Sequence, residues 1–327
     1  MKTRFKLIIA LPILILLFAG CGTEQKQGLS EQVKQQIALL PQDAGVYAYV
    51  NIERLHNASF SHIFIDSARK QITGNPEFQE LVEQTGLDPE KDIRDVYFAL
   101  KPGSSKEKPL GLIVASGDFE PSKITEFLMK KNKHNKIMTE MYKGKKLFFS
   151  QEKASGFCFA DSHTLIAGNL EQVKAWIDRR EAGGSLPENS SLISQIEAMK
   201  YNKGLWLNVI PSAWQEMLKS KDLKKFNALK RLEKVWVSMD ITDQVLFSAK
   251  GGFSDKEDAQ LFSDAFKGVI AAGKLSVSDE RDVIDILNKV DVQTEGKEIS
   301  IEFKLDREDA IKLLEKKKKL RRKMMPV

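Results

Sequence analysis

The sequence predicts an α+β protein: two tandem related units with largely antiparallel sheets packed by helices. Three observations carry this. β-rich segments follow one another across short turns, amphipathic helical segments interrupt them, and the order of elements restarts after Gly184. Strands joined by tight turns must run antiparallel, because parallel neighbours need long crossovers.

Taken in order, residues 22–30 are polar, with Gly22, Gly28 and Gln or Glu between them, so residues 21–30 read as a flexible tether. From Ser30 the pattern turns helical, with Val33, Ile37 and Leu40 on one face and Pro41 ending the run. Val46-Tyr47-Ala48-Tyr49-Val50-Asn51-Ile52 is β-rich and mostly apolar, as for a strand covered on much of both faces. Residues 60–72 and 76–82 read as helices separated by Gly74-Asn75-Pro76. Strands are expected over 95–100 and 110–116. Glu120-Pro121 then opens a helix carrying Ile124, Phe127 and Leu128, with proline in the first turn where its missing N–H costs little. Two hairpins follow, 136–142 with 145–150 about Lys143-Gly144, and 157–160 with 164–167. Asn169 should cap the helix that carries Val173, Trp176 and Ile177. Ala182-Gly183-Gly184-Ser185 is the strongest internal break, which assigns 31–185 to the first unit and 186–327 to the second.

Beyond that break, Ala48-Tyr49-Val50-Asn51-Ile52 lines up with Leu205-Trp206-Leu207-Asn208-Val209, and Val96-Tyr97-Phe98-Ala99-Leu100 with Val235-Trp236-Val237-Ser238-Met239. Residues 113–117 with Phe119, Phe127 and Leu128 match 247–251 with Phe253, Leu261 and Phe262 at one constant offset. The Lys143-Gly144 turn matches Glu295-Gly296, and the helix at Asn169 matches one capped by Asp306 that carries Ala310, Ile311 and Leu314. Spacing agrees while identities do not, which suggests a duplicated β-α-β-β-α-β-β-α unit with an extra hairpin around Cys158 in the first copy. Helices are expected on one side of each sheet, and a groove between the copies would be the default ligand site.

The N-terminus sets the compartment. Lys2, Arg4 and Lys6 precede an apolar run over 7–18, broken by Pro12 and followed by the small residues Ala19 and Gly20, so residues 1–20 read as a signal peptide. The run is too short to span a bilayer as a helix, which needs roughly 20 apolar residues. Leu17-Phe18-Ala19-Gly20-Cys21 resembles the lipobox of bacterial lipoproteins, with Phe18 where leucine is commoner. That resemblance implies cleavage before Cys21 and acylation of its thiol, with palmitate-type chains holding the protein on a membrane. It also implies a cell-envelope location, with Gly22 after the cysteine favouring the outer membrane over the inner where a cell has both. The body is similar in pattern to envelope lipoproteins built of repeated α+β units, which implies little beyond that compartment.

The formal charge of +6 falls to +3 without Lys2, Arg4 and Lys6. Seven further charges lie in the tail residues Lys316, Lys317, Lys318, Lys319, Arg321, Arg322 and Lys323, leaving a body of about −4 that offers no nucleic-acid-binding face. The tail extends an amphipathic helix and suits either a solvated helix end or attraction to anionic lipid or a wall polymer, worth about 1 kcal/mol per charge near a surface. With Cys21 acylated, Cys158 in Phe157-Cys158-Phe159 has no intramolecular partner and reads as a small buried hydrophobe.

Motifs for chemistry are missing. His56, His62, His134 and His163 lie far apart, so metal ligation is not expected, and no phosphate-binding glycine loop exists, so no cofactor is expected. Ser67-Ala68-Arg69-Lys70 and Ser150-Gln151-Glu152-Lys153 have Ser-x-x-Lys spacing without the companion motifs. Asp118, Glu120, Asp255 and Asp258 sit at helix starts, where they suit the dipole. Trp206, Trp236, Phe262 and Phe266 fall at core spacing, while Trp176 and Trp214 fit either core or surface. The expectation is a lipid-anchored envelope protein with a non-enzymatic binding or scaffolding role. The alternatives are an envelope hydrolase whose site is assembled from distant residues, or a carrier of an apolar ligand between the two units.

Overall fold

A computed structural model of the chain describes residues 30–58, 76–101, 109–131, 137–150, 152, 154–184, 204–210 and 231–313. Chain contacts divide the molecule into two compact units, a larger one of Lys26–Asn57 with Ser61–Phe226 and a smaller one formed chiefly by Asn227–Val327. The helix expected over 60–72, Trp214, His62, His134 and the Ser67 motif lie outside the described residues.

The larger unit opens at Ser30, whose hydroxyl accepts the Val33 N–H at 3.3 Å and caps α1 (Glu31–Ala38). Strand β1 (Val46–Asn51) runs straight into the short helix α2 (Ile52–Asn57), which carries His56. Then come α3 (Pro76–Thr85), β2 (Ile93–Lys101), β3 (Leu110–Gly117) and α4 (Pro121–Lys130), the last with Pro121 in its first turn. Strands β4 (Ile137–Tyr142), β5 (Lys145–Ser150), β6 (Gly156–Asp161) and β7 (Thr164–Gly168) precede α5 (Leu170–Glu181) and β8 (Leu205–Val209). The sheet order is β8-β1-β2-β3-β7-β6-β5-β4, antiparallel at each described pairing.

Lys143 (φ 47°) and Gly144 (φ 71°) both take positive φ, the geometry of the tight turn whose twist matches its flanking strands. Gly117 marks a close backbone approach, since a Cβ there would stand 1.9 Å from the Asp92 carbonyl oxygen. Beside it, the register between β2 and β3 shifts at Ile93/Asp95.

One face of the sheet carries Trp206, Tyr49, Tyr97, Val114, Ile166 and Cys158, all buried and aligned by register. Helix α5 covers its β3-β7-β6 portion with Val173, Trp176 and Ile177, each fully buried. Trp176 and Cys158 are therefore core residues. The opposite parity, Val96, Ala115, Leu165 and Phe159, packs against Phe119, Ile124, Leu128 and Leu81 of the α3–α4 segment. Helices thus lie on both faces, not on one as the sequence suggested; β3 is apolar at both parities and needs cover on each side.

Two further details depart from expectation. Asn169 stands at the N-cap of α5 without capping it. Its Oδ1 accepts the Gly111 N–H at 2.6 Å and its Nδ2 donates to the Ala154 carbonyl at 3.1 Å, so the side chain ties β3 to the segment before β6. Strand β8, expected to begin the second unit, pairs with β1 in the larger one, and Tyr49 lies opposite Trp206, the residue it matches in the repeat alignment.

The smaller unit contains β9 (Leu232–Ile241), β10 (Gln244–Phe253), α6 (Lys256–Ser276), α7 (Arg281–Asn288), β11 (Val290–Glu295) and β12 (Glu298–Asp306), with residues 307–313 helical. Its strands lie in the order β11-β12-β10-β9, antiparallel at each of the three described pairings. Leu232, Phe253, Ala259, Val292 and Ile299 form the core, against which Phe262, Phe266 and Ile270 of α6 pack. Asp255 caps α6 through the Asp258 N–H at 2.8 Å, and Asp306 caps the final helix through the Asp309 N–H at 2.9 Å.

Candidate functional site

Cys21 and the cationic tail (Lys316, Lys317, Lys318, Lys319, Arg321, Arg322 and Lys323) lie outside the described residues. The described residues gather polar groups elsewhere, at the junction of β1, β2 and β3. Register puts Asn51 opposite Asp95, and Asp95 opposite Ser116. The Tyr49 hydroxyl donates to Asp95 Oδ1 at 2.6 Å, Ser116 Oγ donates to Asp95 Oδ2 at 3.3 Å, and Asn51 Nδ2 donates to the Tyr49 oxygen at 3.1 Å. Asn51 Oδ1 in turn accepts the Arg54 N–H at 2.6 Å at the start of α2, so the network fixes the strand-to-helix bend. Tyr49 stands 5.0 Å from the Tyr97 ring and 5.6 Å from Trp206, making an aromatic row across three strands.

The chemistry of this junction is structural. Burial, then the charge of Asp95 and the hydrogen bond to it, push the Tyr49 phenol well above its usual range, and burial does the same to Tyr97. Both stay protonated at neutral pH, and neither can act as a base. Ser116 donates its hydroxyl to the same carboxylate that accepts from Tyr49, so both side chains bridge neighbouring strands.

A second cluster is on the surface at the β6–β7 turn. His163 Nδ1 lies 2.9 Å from Asp118 Oδ1 and 3.1 Å from the Gly117 oxygen, and Arg94 donates to Asp118 Oδ2 at 3.1 Å. These contacts orient a histidine but bring it no hydroxyl or thiol. Cys158 is 0% exposed and burial pushes its thiol up to about 11, so it holds no thiolate at neutral pH. Among the described residues no cluster of three or more His, Cys, Asp or Glu has metal-binding geometry.

The sequence reading passed over one surface. Leu261, Val269 and Leu275 of α6 are 57%, 65% and 79% exposed, on a helix whose Ala259, Phe262, Phe266 and Ile270 pack on the core. The signal was legible as an apolar position recurring every three or four residues, out of phase with Phe262 and Phe266. By contrast Trp206 and Trp236 are buried as their spacing predicted.

No family model matches the chain, and no curated protein matches it. Solved structures do. Crystal form III of TP0453 superposes with a TM-score of 0.50 at 11% identity, over 84% of this chain and 95% of that one. Crystal form IV of TP0453 gives 0.51 at 11% identity, over 84% and 94%. At that identity the likeness is one of fold, an α+β architecture of antiparallel strands and helices running through most of both chains.

Proposed function

We propose that this chain is a lipid-anchored cell-envelope protein with a non-enzymatic binding or scaffolding role. The observation that carries this is the segment before Cys21, a positive start, a short apolar run and two small residues ending at a single cysteine. No helix of the described residues is long and apolar enough to cross a membrane. In this reading attachment is by acyl chains on Cys21, each CH₂ contributing about 0.8 kcal/mol. The junction groups Tyr49, Asp95, Ser116 and Asn51 bond one another and hold strands together, which accords with the non-enzymatic part of this reading. The cationic tail would add contact with anionic lipid or a wall polymer.

Two copies of one unit fit the same proposal, with one adjustment. In each half, two hairpin-linked strands (β2–β3, β9–β10) are followed by helix and then by a hairpin whose second strand pairs back on the first pair and leads into a helix. Those closing hairpins are β6–β7 and β11–β12, which makes β4–β5, rather than the hairpin around Cys158, the additional one.

The anchor is tested by expressing the full chain in a lipoprotein-processing bacterium fed labelled palmitate. The wild-type chain should take up label and sediment with membranes, and Cys21→Ser should lose both. Equal labelling of the two would refute the anchor.

A further inference from the structure

Helix α6 has three sectors around its 21 residues. Ala259, Phe262, Phe266 and Ile270 pack on the core of the smaller unit. Lys256, Gln260, Asp264, Lys267 and Lys274 form a polar ridge, its charges of both signs. The third sector, Leu261, Ala265, Gly268, Val269, Ala272 and Leu275, is apolar and exposed along its whole length. A surface helix satisfied by one core needs only one apolar stripe. The second requires an occupant.

We propose that the occupant is a second copy of this chain, paired antiparallel through α6 and crossing at Gly268. Positions 261, 265, 268, 272 and 275 follow in steps of four, three, four and three, the 3.5-residue repeat of a seam between helices. The seam reads Leu-Ala-Gly-Ala-Leu, and it reads the same in reverse. An antiparallel partner therefore sets Leu275 level with Leu261 at both ends and small residues against small ones at the middle. A two-fold contact demands this self-complementarity, because both copies present the same surface. Among the described residues nothing crowds Gly268: a Cβ there would meet nothing within 4 Å, and glycine is among the least favourable residues inside a helix. Between two helices it permits close approach.

A lipid surface fits less well, since membrane-facing stripes gain from bulk and this one is small at its centre. A helix of this length spans about 31 Å and presents less than the roughly 800 Å² per partner of a standard interface. The dimer is accordingly weak, with a dissociation constant in the micromolar range or above. The proposal does not depend on the anchor.

Sedimentation of the chain lacking residues 1–20 and carrying Cys21→Ser, over about 1 μM to 1 mM, tests it. The mean mass should rise towards twice the monomer, and Gly268→Leu and Leu275→Asp should each raise the dissociation constant at least about tenfold. Gly268→Leu points into open space, so unchanged circular dichroism separates lost association from lost fold. Gly268→Cys should cross-link to itself under mild oxidation, and Leu261→Cys should link to Leu275→Cys but not to itself. A monomer throughout the range, a dimer indifferent to both substitutions, or self-linking of Leu261→Cys would overturn the proposal. So would a monomer whose α6 binds anionic vesicles in a Leu275-dependent way.

Discussion

Asp95 holds the junction of the larger unit because it accepts from Tyr49 and Ser116 at once. Removing one acceptor that serves two partly buried donors costs more than a single hydrogen bond, so Asp95→Ala should destabilise the protein by about 2–3 kcal/mol in urea titration. A loss under 0.5 kcal/mol, the scale of an ordinary surface change, would make the network incidental. Tyr47 gives a pH test. Its hydroxyl donates to the Pro41 carbonyl at 2.7 Å, and burial pushes its pKa up to about 12. The native state therefore keeps a proton that the unfolded chain loses near pH 10. The stability it contributes is fully present below pH 10 and lost as pH rises through about 12. Tyr47→Phe should cost about 1 kcal/mol at pH 8 and flatten the alkaline decline by about 1.4 kcal/mol, measured by urea midpoints at pH 8 and 11. An unchanged alkaline slope would contradict the assignment. None of this junction was legible in the sequence, since Tyr49 and Asp95 are 46 residues apart and meet only through register.

Elements were more readable than sites, for a local reason. Ser30, Pro121, the Lys143-Gly144 turn and Asp306 act within three or four residues of themselves, and each did what its chemistry dictates. Asn169 did not, because the Gly111 N–H of a strand 58 residues away offered a partner that sequence spacing cannot show. Helices on both faces were likewise hidden. Val96, Ala115 and Leu165 identify a second covered face only once the strands are paired. Gly117→Ala is the test of close packing at this scale. Asp92 accepts the Asp118 N–H at 2.7 Å, so its carbonyl is already committed where the new Cβ would stand. The substitution should cost about 3 kcal/mol by thermal or urea unfolding, and a cost below 1 kcal/mol would mean that the β2–β3 register is soft.

For the whole molecule, α+β architecture with antiparallel sheets follows from short turns between apolar strands, and the structure has it. The pairing of β1 with β8 was not foreseeable, as it joins segments about 155 residues apart that only repeat alignment had connected. The tail makes a further prediction at this scale. Truncation after Leu314 should lower binding of the unlipidated chain to anionic vesicles, and binding equal to the intact chain would remove any surface role for Lys316 to Lys323. The envelope reading itself rests on residue 21. Mass spectrometry of the N-terminal peptide from membranes of a lipoprotein-processing host tests it most directly. A chain that begins at Cys21 with fatty acyl groups on that residue is the expected result, and an unmodified Cys21 or an intact residue 1–20 segment would contradict it.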